Sequence, residues 1–221
     1  MNSKQSALMK VAGLCGVLVP IVAFAFIALA IYHSPWFTWT GNWFSELAGT
    51  AGERPIWAAR GIASVFFNVG IIIAGSMGVV CATASRKIQI LNTRLGRLGN
   101  LLLFIDMLAL CAIGVFPLTR GYLHDVASFV FFILVPLSVI SIGTAFRKSS
   151  EKKIGWFMTL LGVISLCSFP LLFISPPWGG NAIIEMIPAV SISVCVMVFG
   201  ISLLKGKFKL KDQRTLRENR E

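Results

Sequence analysis

The sequence predicts an all-α polytopic membrane protein, a bundle of six transmembrane helices with both termini in the cytoplasm. Three observations carry this reading. Six apolar runs follow one another at residues 11–32, 61–83, 98–117, 126–146, 154–174 and 182–204, each close to the roughly 20 residues that cross about 30 Å of hydrocarbon. Lysine and arginine crowd into alternate gaps: only Arg54, Arg60 and Arg120 fall on one side, and the other 17 of the 20 basic residues fall on the opposite side. Cytoplasmic loops retain basic residues, so the crowded side is expected to be cytoplasmic, with three loops facing out. Finally, 56% of the 221 residues are hydrophobic and 13% charged, which leaves too little polar surface for a soluble domain.

The first run is preceded by Lys4 and Lys10 and carries Ala28 and Ala30 at the spacing of a cleavage site, yet it is longer than the apolar stretch of a signal peptide. An uncleaved first helix is expected. In the second run Gly70, Ala74 and Gly78 recur every fourth residue, a smooth stripe along which another backbone can approach. Trp156 opens the fifth run on the inner side, whereas Trp36, Trp39, Trp43, Trp57 and Trp178 border outer ends, at the headgroup depth where indole rings settle. Domain organisation follows: a transmembrane domain over residues 1–204 and a basic cytoplasmic tail over 205–221.

Composition also excludes functions. The formal charge of +11 resides in short juxtamembrane loops and the tail, where topology and anionic headgroups account for it, so nucleic acid is not an expected partner. The five cysteines, Cys15, Cys81, Cys111, Cys167 and Cys195, all lie inside apolar runs without a C-x-x-C pair and read as small packing residues. Only two histidines exist, His33 and His124, which rules out a three-histidine zinc site. His124 with Glu46 and Glu185 is a conceivable mixed metal set, but no H-E-x-x-H or comparable spacing accompanies it. No P-loop is present, since the segment Gly96-Arg97-Leu98-Gly99 lacks its length and lysine. Neither a metal nor an organic cofactor is expected.

The informative chemistry lies outside. The loop between the first two helices holds four tryptophans and the string Gly41-Asn42-Trp43-Phe44-Ser45-Glu46-Leu47-Ala48-Gly49, too apolar for a plain solvent loop. The next outer loop runs Gly114-Val115-Phe116-Pro117 to His124-Asp125, and the last enters the sixth helix at Asn181, shortly before Glu185.

These strings are similar to those of a known family, the domain-of-unknown-function 998 membrane proteins of bacteria and archaea. The resemblance rests on Phe44-Ser45-Glu46-Leu47, on Phe67-Asn68-Val69-Gly70 in the second helix, on Gly114-Val115-Phe116-Pro117 ending the third, on His124 opening the fourth and on Glu185 in the sixth. It spans nearly the whole chain, with Ala48 lengthening the Ser-acid-Leu-Gly string the family would supply. It implies a six-helix fold in a bacterial or archaeal plasma membrane, and it implies no activity.

Physical chemistry ranks the polar candidates. Glu185 is placed about two turns, or ~10 Å, below the outer entrance of the sixth helix, on a face with Asn181, Pro188 and Ile192. A carboxylate there costs several kcal/mol unless paired, hydrated or protonated, and Arg60 and Arg120 are the outer cations on offer. Asp106 is deeper, ~16 Å from Pro117, with Asn68 and Asn100 as candidate partners. His124 and Ser128, four residues apart, share a helix face. Ser45 and Glu46 complete a serine, histidine and carboxylate set if the first loop folds over the bundle.

Three classes of function are compatible with this inventory. One is a membrane protein that binds or transports a small molecule or lipid through an outward-facing polar pocket, with Ser45, Glu46, Asn68, Asp106, Arg120, His124 and Glu185 as binding or proton-handling candidates. The second is an intramembrane enzyme, a hydrolase or transferase, acting on a lipid or lipid-linked substrate, with His124, Glu46 and Glu185 in acid-base roles. The third is a scaffold whose polar groups only hold helices together. The expected partners are the lipid bilayer and a small-molecule or lipid ligand.

Overall fold

The computed structural model describes residues 3–50, 52–53, 58–174 and 180–205. Arg54, Trp57, Trp178 and the tail beyond Lys205 lie outside the described residues. Six helices follow in order: α1 (Ser3–Tyr32), α2 (Ile62–Ser85), α3 (Arg94–Val115), α4 (Tyr122–Arg147), α5 (Lys152–Ser168) and α6 (Ala182–Leu204). All six are long and apolar enough to cross a membrane, the fifth when taken through the turn that follows it, as Lys152–Leu172. Large apolar side chains are exposed along their outer faces, among them Leu14 and Ile21 on α1 and Leu160 and Ile164 on α5. Such a belt is unstable in water and suited to lipid, where a helix also satisfies every backbone polar group internally.

Each helix packs against the next in sequence, and α6 closes the ring against α1 while also touching α4 and α2. Small residues permit this closure. A Cβ added to Gly200 would lie 2.6 Å from the Gly13 carbonyl oxygen, and one added to Gly16 would lie 2.9 Å from the Gly200 Cα, so α1 and α6 meet backbone to backbone. The stripe on α2 behaves differently from expectation. Gly70 receives the Phe26 side chain of α1, whereas Gly78 receives Met107 of α3. Four residues advance about 40° beyond one turn of a 3.6-residue helix, so a stripe two steps long rotates from one neighbour to the next. It forms sockets for two partners instead of one smooth track.

Boundaries shift where local chemistry dictates. α3 begins at Arg94 because the Thr93 hydroxyl accepts from the Gly96 N–H at 3.0 Å, capping the first turn. The fifth apolar run does not stay α-helical to its end: α5 stops at Ser168 and a 3₁₀ turn covers Phe169–Phe173. Pro170 lacks the N–H that an α-helix would need there. Where α4 ends and α5 begins, the Arg147 guanidinium sits 3.6 Å from the ring centre of Trp156, joining the two helices. The cysteines are free. Cys81 and Cys195 are buried packing residues, but Cys167 is exposed on α5, so the expectation that all five pack internally fails for that one.

The first outer loop folds onto the bundle. Phe37, Phe44, Leu47 and Ala48 are buried, and the rings of Phe37 and Phe44 stack at 6.0 Å. A 3₁₀ turn over Phe44–Ala48 ends at Gly49, whose φ of 108° is open to glycine and strained for other residues. Two backbone bonds fasten the loop to the entrance of α6: Gly180 N–H donates to Thr40 at 2.6 Å, and Ala182 N–H to Asn42 at 3.0 Å. The second of these satisfies one of the donors that a helix start leaves unpaired.

Candidate functional site

Glu185 occupies the first turn of α6, one turn below the entrance and not two, because the helix starts only at Ala182. Its Oε2 accepts the Phe44 N–H at 2.7 Å, and Phe44 opens the 3₁₀ turn, where a backbone donor has no partner within the turn. Neither expected cation reaches it. Arg60 pairs with Glu53 at 3.0 Å and lies over the Trp36 ring, and Arg120 is exposed at the end of a short 3₁₀ turn. The backbone of the docked loop takes the place that a guanidinium was expected to fill.

Glu46 stands on the same loop turn. Its Oε2 accepts from the Asn42 amide at 2.7 Å and its Oε1 from the Trp43 N–H at 3.2 Å, so the carboxylate braces the turn that presents Ser45. Glu53, further along the loop, is held below the usual carboxylate range chiefly by the Thr50 N–H, with a smaller contribution from Arg60.

His124 lies in the first turn of α4, aimed back at the end of α3. Its Nδ1 is 2.9 Å from the Phe116 carbonyl, one of the acceptors a helix end leaves open. A carbonyl oxygen only accepts, so the neutral ring carries its proton at Nδ1 and turns a bare Nε2 toward the Ser128 hydroxyl at 3.2 Å. The turn Pro117 to Gly121, closed by a φ of 54° at Gly121, reverses the chain tightly enough for this bond to form.

Two cavities meet at these groups. An outer chamber of ≈ 590 Å³ is bounded by the first loop, the outer end of α4, the turn after α5 and the start of α6. A narrower shaft of ≈ 90 Å³ descends between α1, α2, α3, α4 and α6 past Phe24, Ile71, Met107 and Leu110 to Val196. Ser45, His124, Ser128, Phe132 and Glu185 border both. Glu185 to Val196 is eleven residues along α6, so the shaft runs about 16 Å below the polar ring. Val126 and Phe129 line the chamber and are exposed on α4, which brings its rim to the lipid-facing side.

The remaining candidates stand apart. Asn68 is fully buried with neither side-chain atom hydrogen-bonded among the described residues, and it borders neither cavity. Asp106 is fully buried as well, and among the described residues both oxygens lack partners. The suggested pairing with Asn68 or Asn100 does not form: the Asn100 amide donates to the Ala82 carbonyl at 3.1 Å. Antiparallel packing explains this for Asn68, which faces Gly114, two turns above Asp106 on α3. Arg120 borders neither cavity. The mixed metal set is not assembled, since no three His, Cys, Asp or Glu side chains among the described residues are grouped to hold an ion. Aromatic lining of an outward-facing pocket is an expectation of the binding reading, but which rings supply it, Trp43, Phe129, Phe132 and Phe169, is not legible in the sequence, because aromatics at outer helix ends are equally explained as an interfacial belt.

Six apolar helices, a docked outer loop and a polar ring above an apolar shaft define a multi-pass integral membrane protein with a candidate ligand cavity. The chain belongs to the family described as "Protein of unknown function (DUF998)", whose model matches residues 17–202. No curated protein and no solved structure matches it.

Proposed function

We propose that this protein binds, and in a transport cycle passes on, an amphipathic small molecule or lipid, with the polar end in the outer chamber and the apolar part in the shaft. The single observation behind this is the shared border: the same five residues close the floor of a wide polar-rimmed chamber and the mouth of an apolar shaft. A site of that shape matches a molecule with one wet end and one greasy end. The positive-inside pattern turns the chamber outward from the cell membrane. Native mass spectrometry of the protein purified in nanodiscs tests it. Wild-type protein should carry an amphiphile that Ala189→Trp, which fills the shaft, does not; equal occupancy in both would remove the proposal.

A second reading is favoured by one bond, the Ser128 hydroxyl on the bare Nε2 of His124 with Nδ1 fixed by the Phe116 carbonyl. In an intramembrane hydrolase, Ser128 would attack a lipid ester and pass its proton to His124. A fluorophosphonate probe should then label wild-type protein and not Ser128→Ala, and no labelling of the wild type would end that reading.

A further inference from the structure

Resting on the ligand-cavity reading above, we infer that the ligand of the outer chamber carries a positive charge: the site is built for an amphiphilic cation. The chamber wall holds three carboxylates, Glu46, Asp125 and Glu185, and among the described residues no lysine or arginine borders either cavity. An anionic headgroup would meet only like charge there. Of the described outer cations, Arg60 pairs with Glu53 and lies over Trp36, and Arg120 is exposed and borders neither cavity.

A second, independent observation points to a ligand. Glu185 is only 7% exposed and borders both cavities, yet only its Oε2 is hydrogen-bonded; among the described residues Oε1 has no donor and the carboxylate no cation. A buried carboxylate without a counter-charge is costly unless it is hydrated, protonated or paired, and a cation arriving from the cavity supplies the pairing that the protein does not. The rest of the wall suits the same guest. Trp43, Phe129, Phe132 and Phe169 line the chamber, and aromatic faces attract quaternary and other weakly hydrated cations. The shaft below accepts an alkyl chain and offers it nothing polar beyond Ser193.

The test keeps the chain constant and changes only the head. Radiolabelled dodecyltrimethylammonium is bound to the protein in neutral-lipid nanodiscs and competed with unlabelled dodecyltrimethylammonium, dodecanol and dodecyl phosphate. Saturable binding is expected, with the neutral and anionic competitors at least tenfold weaker and with affinity for the cation at least tenfold lower in Glu185→Gln. Glu46→Gln, monodisperse by size-exclusion, serves if Glu185→Gln does not fold, and is expected to lower affinity in the same direction. If dodecanol or dodecyl phosphate competes as well as the cation while Ala189→Phe abolishes binding, the cavity reading stands and the charge inference is overturned. Unchanged affinity in the carboxylate variants overturns it as well. Binding that survives Ala189→Phe places the probe elsewhere and overturns both.

Discussion

The Phe44 N–H donates to Glu185 Oε2 at 2.7 Å, tying the first outer loop to the sixth helix across 141 positions of sequence. This bond holds the turn that presents Ser45 at the junction of chamber and shaft. It also gives the buried carboxylate a structural role separable from any binding role.

Glu185→Ala orphans the Phe44 donor in a buried setting and should lower stability by about 1–3 kcal/mol. Glu185→Gln keeps a side-chain oxygen for the same N–H and should cost less than half as much. Thermal unfolding of both variants in one detergent measures the difference; equal losses would mean that the bond does not hold the loop.

Gly180→Ala should undock the first loop. A Cβ at that position would run into the backbone of Gly41 and Asn42, a collision that no side-chain rotation relieves. Overpacking of this kind costs about 1–3 kcal/mol. Limited proteolysis within residues 36–50 should accelerate in the variant and not in the wild type.

Asp106→Leu should leave stability unchanged or raise it by about 1–3 kcal/mol, because it removes a fully buried group whose oxygens have no partners among the described residues. The two side chains are similar in length. A clear fall in melting temperature would reveal that Asp106 is satisfied in the membrane by a group outside the described residues.

Topology is open to direct labelling. In a Cys167→Ser background, needed because Cys167 is exposed, Arg120→Cys should react with a membrane-impermeant maleimide in intact cells. Arg86→Cys and Lys152→Cys should react only after permeabilisation. The reverse pattern would invert the orientation that the basic residues imply. Gly179 and Lys207, on the outer and inner sides by the same count, lie outside the described residues and complete the set as cysteine positions.

The sequence by itself determined six helices and their approximate ends, because the bilayer imposes length and hydropathy on every span independently of its neighbours. It also singled out Ser45, Glu46, His124 and Glu185, since a polar group at a helix entrance in so apolar a chain is costly wherever it points. The bond from Ser128 to His124 was legible for the same local reason, a spacing of four residues on one helix.

Only the tertiary structure decided which of those groups meet. That Glu185 takes a backbone donor and not Arg60 or Arg120 depends on how residues 36–50 fold over the bundle, and that path is set by the stacking of Phe37 on Phe44 and the close fit at Gly180. That Asn68 leaves the outer cluster, and that Asp106 finds neither asparagine, follows from the rotation and vertical offset of α2 against α3. Hydropathy is indifferent to both quantities. A helix of suitable length spans the membrane in any rotation about its axis, and only packing against its neighbours chooses one.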